Sequence, residues 1–256
     1  MNVIAASQSP SKKMNPRNRI VLIATIAVLA ICICVAIFFD KTKQAAVAAN
    51  PAIDVSALEK TVAANPTAAN LLMLSARYIR LNRPSRAFPY LKALIKKDPG
   101  NASAYCDLGV ANIMLKNYKQ GIDACTKAVQ LDPNFQLAKN NLQWGIQEQQ
   151  KVLVAINELN TQAEDKKDNA YYTLLGIYYF QVGNYDNAIA TWQTGVQKFP
   201  VNSIVYYNDI GSAQVIQKQF DTAIINFNKV LSIDPNNQLA KNNITWAMSD
   251  AAEKQN

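Results

Sequence analysis

Hydrophobic positions are distributed in two different ways along this chain. Ile20 to Phe39 reads IVLIATIAVLAICICVAIFF, an unbroken apolar run without charge, proline or glycine. As a helix rising about 1.5 Å per residue it would span about 30 Å, the thickness of a bilayer's hydrocarbon core. A helix also satisfies its own backbone groups there. Residues 20–39 are therefore expected to form one transmembrane helix. Lys12, Lys13, Arg17 and Arg19 precede it, and Lys41 and Lys43 follow together with Asp40. The excess of bases before the run predicts a cytoplasmic N-terminus and a single-pass protein whose bulk lies across the membrane. A cleaved signal peptide fits less well, because its apolar region spans only about 7–15 residues. On this reading residues 1–19 are a cytoplasmic tail, 40–53 a linker and 54–256 a folded domain.

From residue 54 the apolar positions shorten into helix-length groups that recur with a near-constant period. Prolines fall at Pro66, Pro99, Pro133, Pro200 and Pro235, at intervals of 33, 34, 67 and 35. Ser75, Gly109, Gly176 and Gly211 each stand 24 residues before one of these prolines, preceded by Leu74, Leu108, Leu175 and Ile210. Leu71, Tyr105, Tyr172 and Tyr207 lie three positions earlier still. Ala87, Gly121, Ala188 and Ala223 stand 12 before the proline, and Leu91, Cys125, Trp192 and Phe227 stand 8 before it. Small residues let two antiparallel helices approach, and large apolar ones one turn on fill the space beside that approach. Proline ends the second helix, since it lacks a donor and clashes with the preceding turn.

This column set resembles the tetratricopeptide repeat, a helix-turn-helix unit of about 34 residues. The clearest copy runs through Tyr172, Leu175-Gly176, Tyr179, Gly183, Tyr185, Ala188, Trp192 and Pro200. The resemblance covers residues 54–256 and implies an all-α fold, a right-handed solenoid of antiparallel helix pairs. Repeats are expected at about 68–101, 102–135, 169–203 and 204–237, with a capping helix at 238–254. The slot 136–168 has Lys167 where proline is expected. Its helix-period apolar positions are read as changing face near Gln149 and Gln150. It reads as a degenerate repeat, or else as one long helix that splits two arrays. Gln136-Leu137-Ala138-Lys139-Asn140-Asn141 recurs as Gln238-Leu239-Ala240-Lys241-Asn242-Asn243, and Trp144 corresponds to Trp246. Residues 54–65 resemble a lone second helix closing the other end.

The resemblance also carries functional expectations. In the family, the first helix of each repeat lines a concave groove that takes up peptides or partner helices. Matched by column, that groove would comprise Leu72, Cys106, Thr173 and Asn208, then Ala76, Val110, Ile177 and Ser212, with Trp144 and Trp246 on the two echo helices. Leu72 and Ala76 do not match the lysine, asparagine and arginine residues with which some relatives clamp chaperone carboxylates, so that activity is not expected. The architecture looks like membrane-anchored members of the bacterial envelope type, with the repeat domain on the periplasmic face of the inner membrane. The implied role is a membrane-tethered scaffold for protein–protein interaction in a membrane-associated complex. The alternatives are a structural subunit permanently integrated in such a complex and a chaperone-like assembly factor.

Composition narrows the chemistry. There is no histidine, which removes Ser-His-Asp and Cys-His pairs, His-containing zinc sites and His-ligated haem. The glycines do not cluster into a phosphate-cradling loop. Glu164, Asp165 and Asp168 are interspersed with Lys166 and Lys167, as in a solvated turn. No enzyme activity, metal or cofactor is expected. The net charge of +8 is localised in the N-terminal tail and in residues 67–100, so nucleic-acid binding across the fold is not expected either. Arg77, Arg80, Arg83, Arg86, Lys92, Lys96 and Lys97 form a basic group in the first repeat, read as a solvated face or as a contact for anionic lipid or an acidic partner. Cys106 and Cys125 are expected on opposite helices of one repeat, as separate apolar fillers or as an oxidisable pair.

Overall fold

The computed structural model describes residues 55–255. The expected tail, membrane helix and linker lie outside the described residues. No helix among the described residues is long and apolar enough to cross a membrane. The described residues contain no strand; they form eleven α-helices joined by short turns. These are α1 (Val55–Ala64), α2 (Ala68–Arg80), α3 (Phe88–Lys97), α4 (Ala102–Met114), α5 (Tyr118–Leu131) and α6 (Gln136–Asn160). They continue as α7 (Asn169–Gln181), α8 (Tyr185–Lys198), α9 (Ser203–Ile216), α10 (Phe220–Ile233) and α11 (Gln238–Gln255).

Each boundary has a local cause. Side-chain oxygens of Thr67, Asn101 and Asp168 accept the amides of Asn70, Ala104 and Tyr171, capping α2, α4 and α7. The first helix of each pair ends on a residue with positive φ: Asn82 (55°), Lys116 (63°), Gly183 (82°) and Lys218 (62°). After each, a reversed amide returns to the helix: Arg83 N to Tyr78 O, Asn117 N to Asn112 O, Asn184 N to Tyr179 O and Gln219 N to Gln214 O. This pattern satisfies carbonyls that the helix end would otherwise leave open. The second helices stop at Asp98, Asp132, Phe199 and Asp234, each out of the helical region directly before a column proline, since clash with the proline ring disfavours helical backbone there.

Helix pairs close on the small-residue columns. A Cβ added at Gly176 would lie 2.2 Å from Trp192 Nε1, and one at Gly211 2.4 Å from Phe227 Cε1. Only glycine lets these rings lie against the neighbouring backbone. Leu74, Leu91 and Leu94 form the core of the first pair, Trp192, Tyr206 and Ile210 that of the fourth repeat and its successor, and Phe227, Val230 and Ala240 that of the last.

The segment 136–168 is not a helix-turn-helix. Residues 136–160 form the single continuous helix α6. The turn column that carries positive φ elsewhere falls here at Gln149 and Gln150, and the chain stays helical through both. Nor do its inward positions change face. Ala138, Leu142, Gly145, Gln149, Val152, Ile156 and Leu159 are all buried or half-buried and spaced alternately by four and three, so one stripe runs the whole length. The first half of α6 closes α4 and α5: a Cβ at Gly145 would meet Ile113 Cδ1 at 2.9 Å. In the second half, Val152, Ile156 and Leu159 pack with Tyr171, Tyr172 and Leu175 of α7.

The described residues thus divide into two modules of two helix pairs, α2–α5 and α7–α10. Each ends in an echo helix, the first half of α6 or α11. They meet where Gln120 Nε2 donates to Tyr185 Oη at 2.6 Å and Gln149 Nε2 to the Val182 carbonyl at 3.4 Å.

Candidate functional site

The exposed faces of the first helices are the surface on which the expected groove residues should gather, and the structure sorts them. Ala76, Val110 and Ile177 are half-buried, as are Leu72, Thr173, Ser212 and Trp246. Trp144 is 37% exposed. Two of the ten are not available to a partner. Cys106 is 1% exposed, packed with Ala128 and Ala138, and its sulfur accepts from Asn141 Nδ2 at 3.3 Å. Asn208 is 5% exposed, and its amide donates to the Ile204 carbonyl at 3.3 Å.

The reason is rotational. The column of Leu72, Cys106, Thr173 and Asn208 turns toward the next first helix: Asn141 reaches Cys106 from α6, and Tyr206 Oη lies 3.4 Å from Thr173 Oγ1. One position further, about 100° around the helix, stand Met73, Asp107, Leu174 and Asp209. Met73 and Leu174 are exposed, while Asp107 and Asp209 are half-buried. The sequence reading missed these two acids, although their spacing of 102 residues matches that of the Gln136 and Gln238 echo segments and was available to it.

Their carboxyls are unusual. Burial pushes both Asp107 and Asp209 up to about 6. At Asp107 the charge of Arg80 partly offsets this. No ion pair among the described residues involves Asp209, and burial alone accounts for its shift. Asp209 lines a small recess of about 90 Å³ with Ile177, Phe180, Trp192 and Ser212. Ser212 Oγ donates to the Asn208 carbonyl at 2.8 Å.

Two further recesses lie elsewhere. Tyr171, Tyr172, Tyr179, Asn160 and Lys167 surround one at the junction of α6 and α7. There Glu164 bridges Lys167 at 2.8 Å and Lys198 at 2.6 Å, and hydrogen bonds from both hold its carboxyl down at about 2. The other brings Lys92 of α3 together with Phe220, Trp246 and Asp250.

The seven bases of the first repeat do not act alike. Arg77 is half-buried, with its Nε unpartnered; Arg80 acts on Asp107; Arg86 bonds the Tyr78 hydroxyl. Lys97 Nζ donates to the Pro66 carbonyl at 2.8 Å, and Lys92 faces the Trp246 recess. Arg83 and Lys96 are exposed. Cys106 and Cys125 are both free and buried, and burial pushes the Cys125 thiol up to about 12.

Paired helices stacked by small-large columns, with an exposed first-helix surface, define a helical repeat scaffold. The repeat is identified directly: residues 102–135 and 204–237 each match the family model for the tetratricopeptide repeat, so the chain contains tetratricopeptide repeats. Proteins built from this repeat mediate protein–protein interaction, and the family is typically non-catalytic. Among curated proteins, the chain is similar to Superkiller protein 3 of Schizosaccharomyces pombe, at 25% identity over 68% of this chain. The match spans 13% of that protein's length. Among solved structures, MamA from Desulfovibrio magneticus RS-1 is 23% identical over 67% of this chain and 97% of its own, with a TM-score of 0.32. YrrB, described as a TPR protein with an unusual peptide-binding site, is 18% identical over 74% of this chain and 98% of its own, with a TM-score of 0.35.

Proposed function

We propose that this chain is a membrane-tethered scaffold that holds a protein partner of a membrane-associated complex on the first-helix surface of its repeats. The observation that carries the reading is a juxtaposition in one chain. An uncharged 20-residue apolar run precedes, by a short segment, a repeat domain whose first helices present Met73, Leu174 and Val205 as exposed apolar side chains. Exposed apolar positions on a repeat surface are what a partner covers. Tethering raises the effective concentration of that surface for partners in the same membrane, so modest affinity suffices. The base asymmetry around residues 20–39 supports a cytoplasmic N-terminus and an extracytoplasmic domain in a single-pass inner-membrane protein. Permanent integration in a complex and transient assembly assistance are two forms of this role. They differ in whether the partner remains with the purified protein. Lipid contact by the first repeat is less supported, since Arg80, Arg86 and Lys97 are engaged within the domain.

Fusions of a secreted phosphatase to either end test the topology. The C-terminal fusion should be active and the N-terminal one inactive in cells. Activity confined to the N-terminal fusion would place the domain in the cytoplasm and overturn the extracytoplasmic assignment.

A further inference from the structure

Asp209 sits between the two first helices of the second module, in a recess built for one side-chain end. Its floor is Trp192, 2% exposed, with an Nε1 that has no partner. Phe180 stands beside it, its ring 6.2 Å from that of Trp192 and tilted by 45°. Ile177 and Ser212 complete the wall. A carboxylate held half out of water without a counter-charge is costly, and burial alone shifts it toward the neutral form.

The duplication inside this chain shows what kind of group answers that cost. Asp107 occupies the same column in the first module, and there a cation is built in: Arg80, five positions after the small residue Ser75, lowers the cost of ionising Asp107. The residue five positions after Gly176 is Gln181. The second module therefore keeps the acid and lacks the internal base, and it places two aromatic rings beside the carboxylate instead. Aromatic faces accept the hydrocarbon stem of a lysine or arginine and attract its charged end.

We propose that the recess formed by Asp209, Phe180 and Trp192 is a subsite for one lysine or arginine side chain of the protein partner. The proposal rests on the reading that the first-helix surface binds protein. It adds the chemistry by which one position of the partner is chosen. The partner's base takes the place that Arg80 takes toward Asp107, and its stem lies along Phe180 and Ile177. The volume of about 90 Å³ suits a single side-chain end rather than a small-molecule ligand.

A random peptide library displayed on phage, selected against the full-length chain in mild detergent, tests this directly. Wild type should enrich peptides with lysine or arginine at one fixed position. Asp209→Asn should lose that preference, and so should Gln181→Arg, which supplies the missing base from within. A synthetic copy of a selected peptide with norleucine at the basic position should bind wild type at least tenfold more weakly and bind Asp209→Asn no differently from its parent. Circular dichroism melting confirms that each variant is folded. Enrichment of peptides with no fixed base, or a basic preference that survives in Asp209→Asn, would overturn the subsite and leave the protein-binding surface standing. No enrichment by any variant would overturn the surface itself, and the subsite with it.

Discussion

At the scale of single residues, two half-buried acids distinguish this chain from a plain packing scaffold. The folded state raises the Asp209 carboxyl to about 6, above its value in an unfolded chain. A raised acid binds its proton more tightly when folded, so it contributes stability below the unfolded value of about 4, and this is lost as pH rises toward 6. The charged form is therefore a standing cost at neutral pH. Asp209→Asn should stabilise the domain by about 1–3 kcal/mol at pH 7.5, with the gain shrinking to nothing near pH 4. Urea denaturation of both proteins across that range measures it. A variant equally or less stable at pH 7.5 would show that the carboxylate already has a partner in the folded state.

At the scale of elements, α6 is where the repeat rule gives way. A 34-residue period alone would put a turn near Gln149 and Gln150, but the chain supplies no proline stop, Lys167 standing in that column, and its inward stripe continues unbroken. Gln150 is exposed in mid-helix. Replacing it with proline should cost about 3 kcal/mol or more, through a lost hydrogen bond and a clash with the preceding turn. At a true interhelix turn of positive φ, Gln150→Gly would be neutral or stabilising, whereas in mid-helix it should cost about 1 kcal/mol. Comparing the melting of Gln150→Gly with wild type separates the two arrangements. The long helix matters because it closes one module with its first half and opens the next with its second.

At the scale of the whole described domain, stability comes from neighbours stacking, and the ends need covers. The echo helix α11 shields Phe227 and Val230 with Ala240, Ala247, Ile244 and Trp246. A chain ended after Asn237 would expose that face. It should lose about 3–5 kcal/mol of stability and become prone to aggregation. Light scattering and thermal unfolding of the shortened chain provide the check, and a chain as soluble and stable as the parent would mean that α11 is not a cap.

How much was legible beforehand differs by level. The helix pairs, their stops and the capping echo could be read from the sequence, because they follow from local rules: proline ends a helix, small residues permit close approach, and the same columns recur at Ser75, Gly109, Gly176 and Gly211. The continuity of α6 was open in the sequence, since a missing turn and a degraded turn leave the same letters. Two of the ten expected groove residues are not available to a partner. Cys106 and Asn208 look exposed by analogy yet are buried, because a rotation of about 100° decides whether a side chain meets solvent or the next helix, and only the packed neighbours fix that rotation. The same is true of Asp209. Its column was visible, but that it lies half-buried beside Phe180 and Trp192 without a base follows only from how α7, α8 and α9 come together. Local propensity sets where helices begin and end; the side-chain volumes filling the gaps between them decide which residues remain free for a partner.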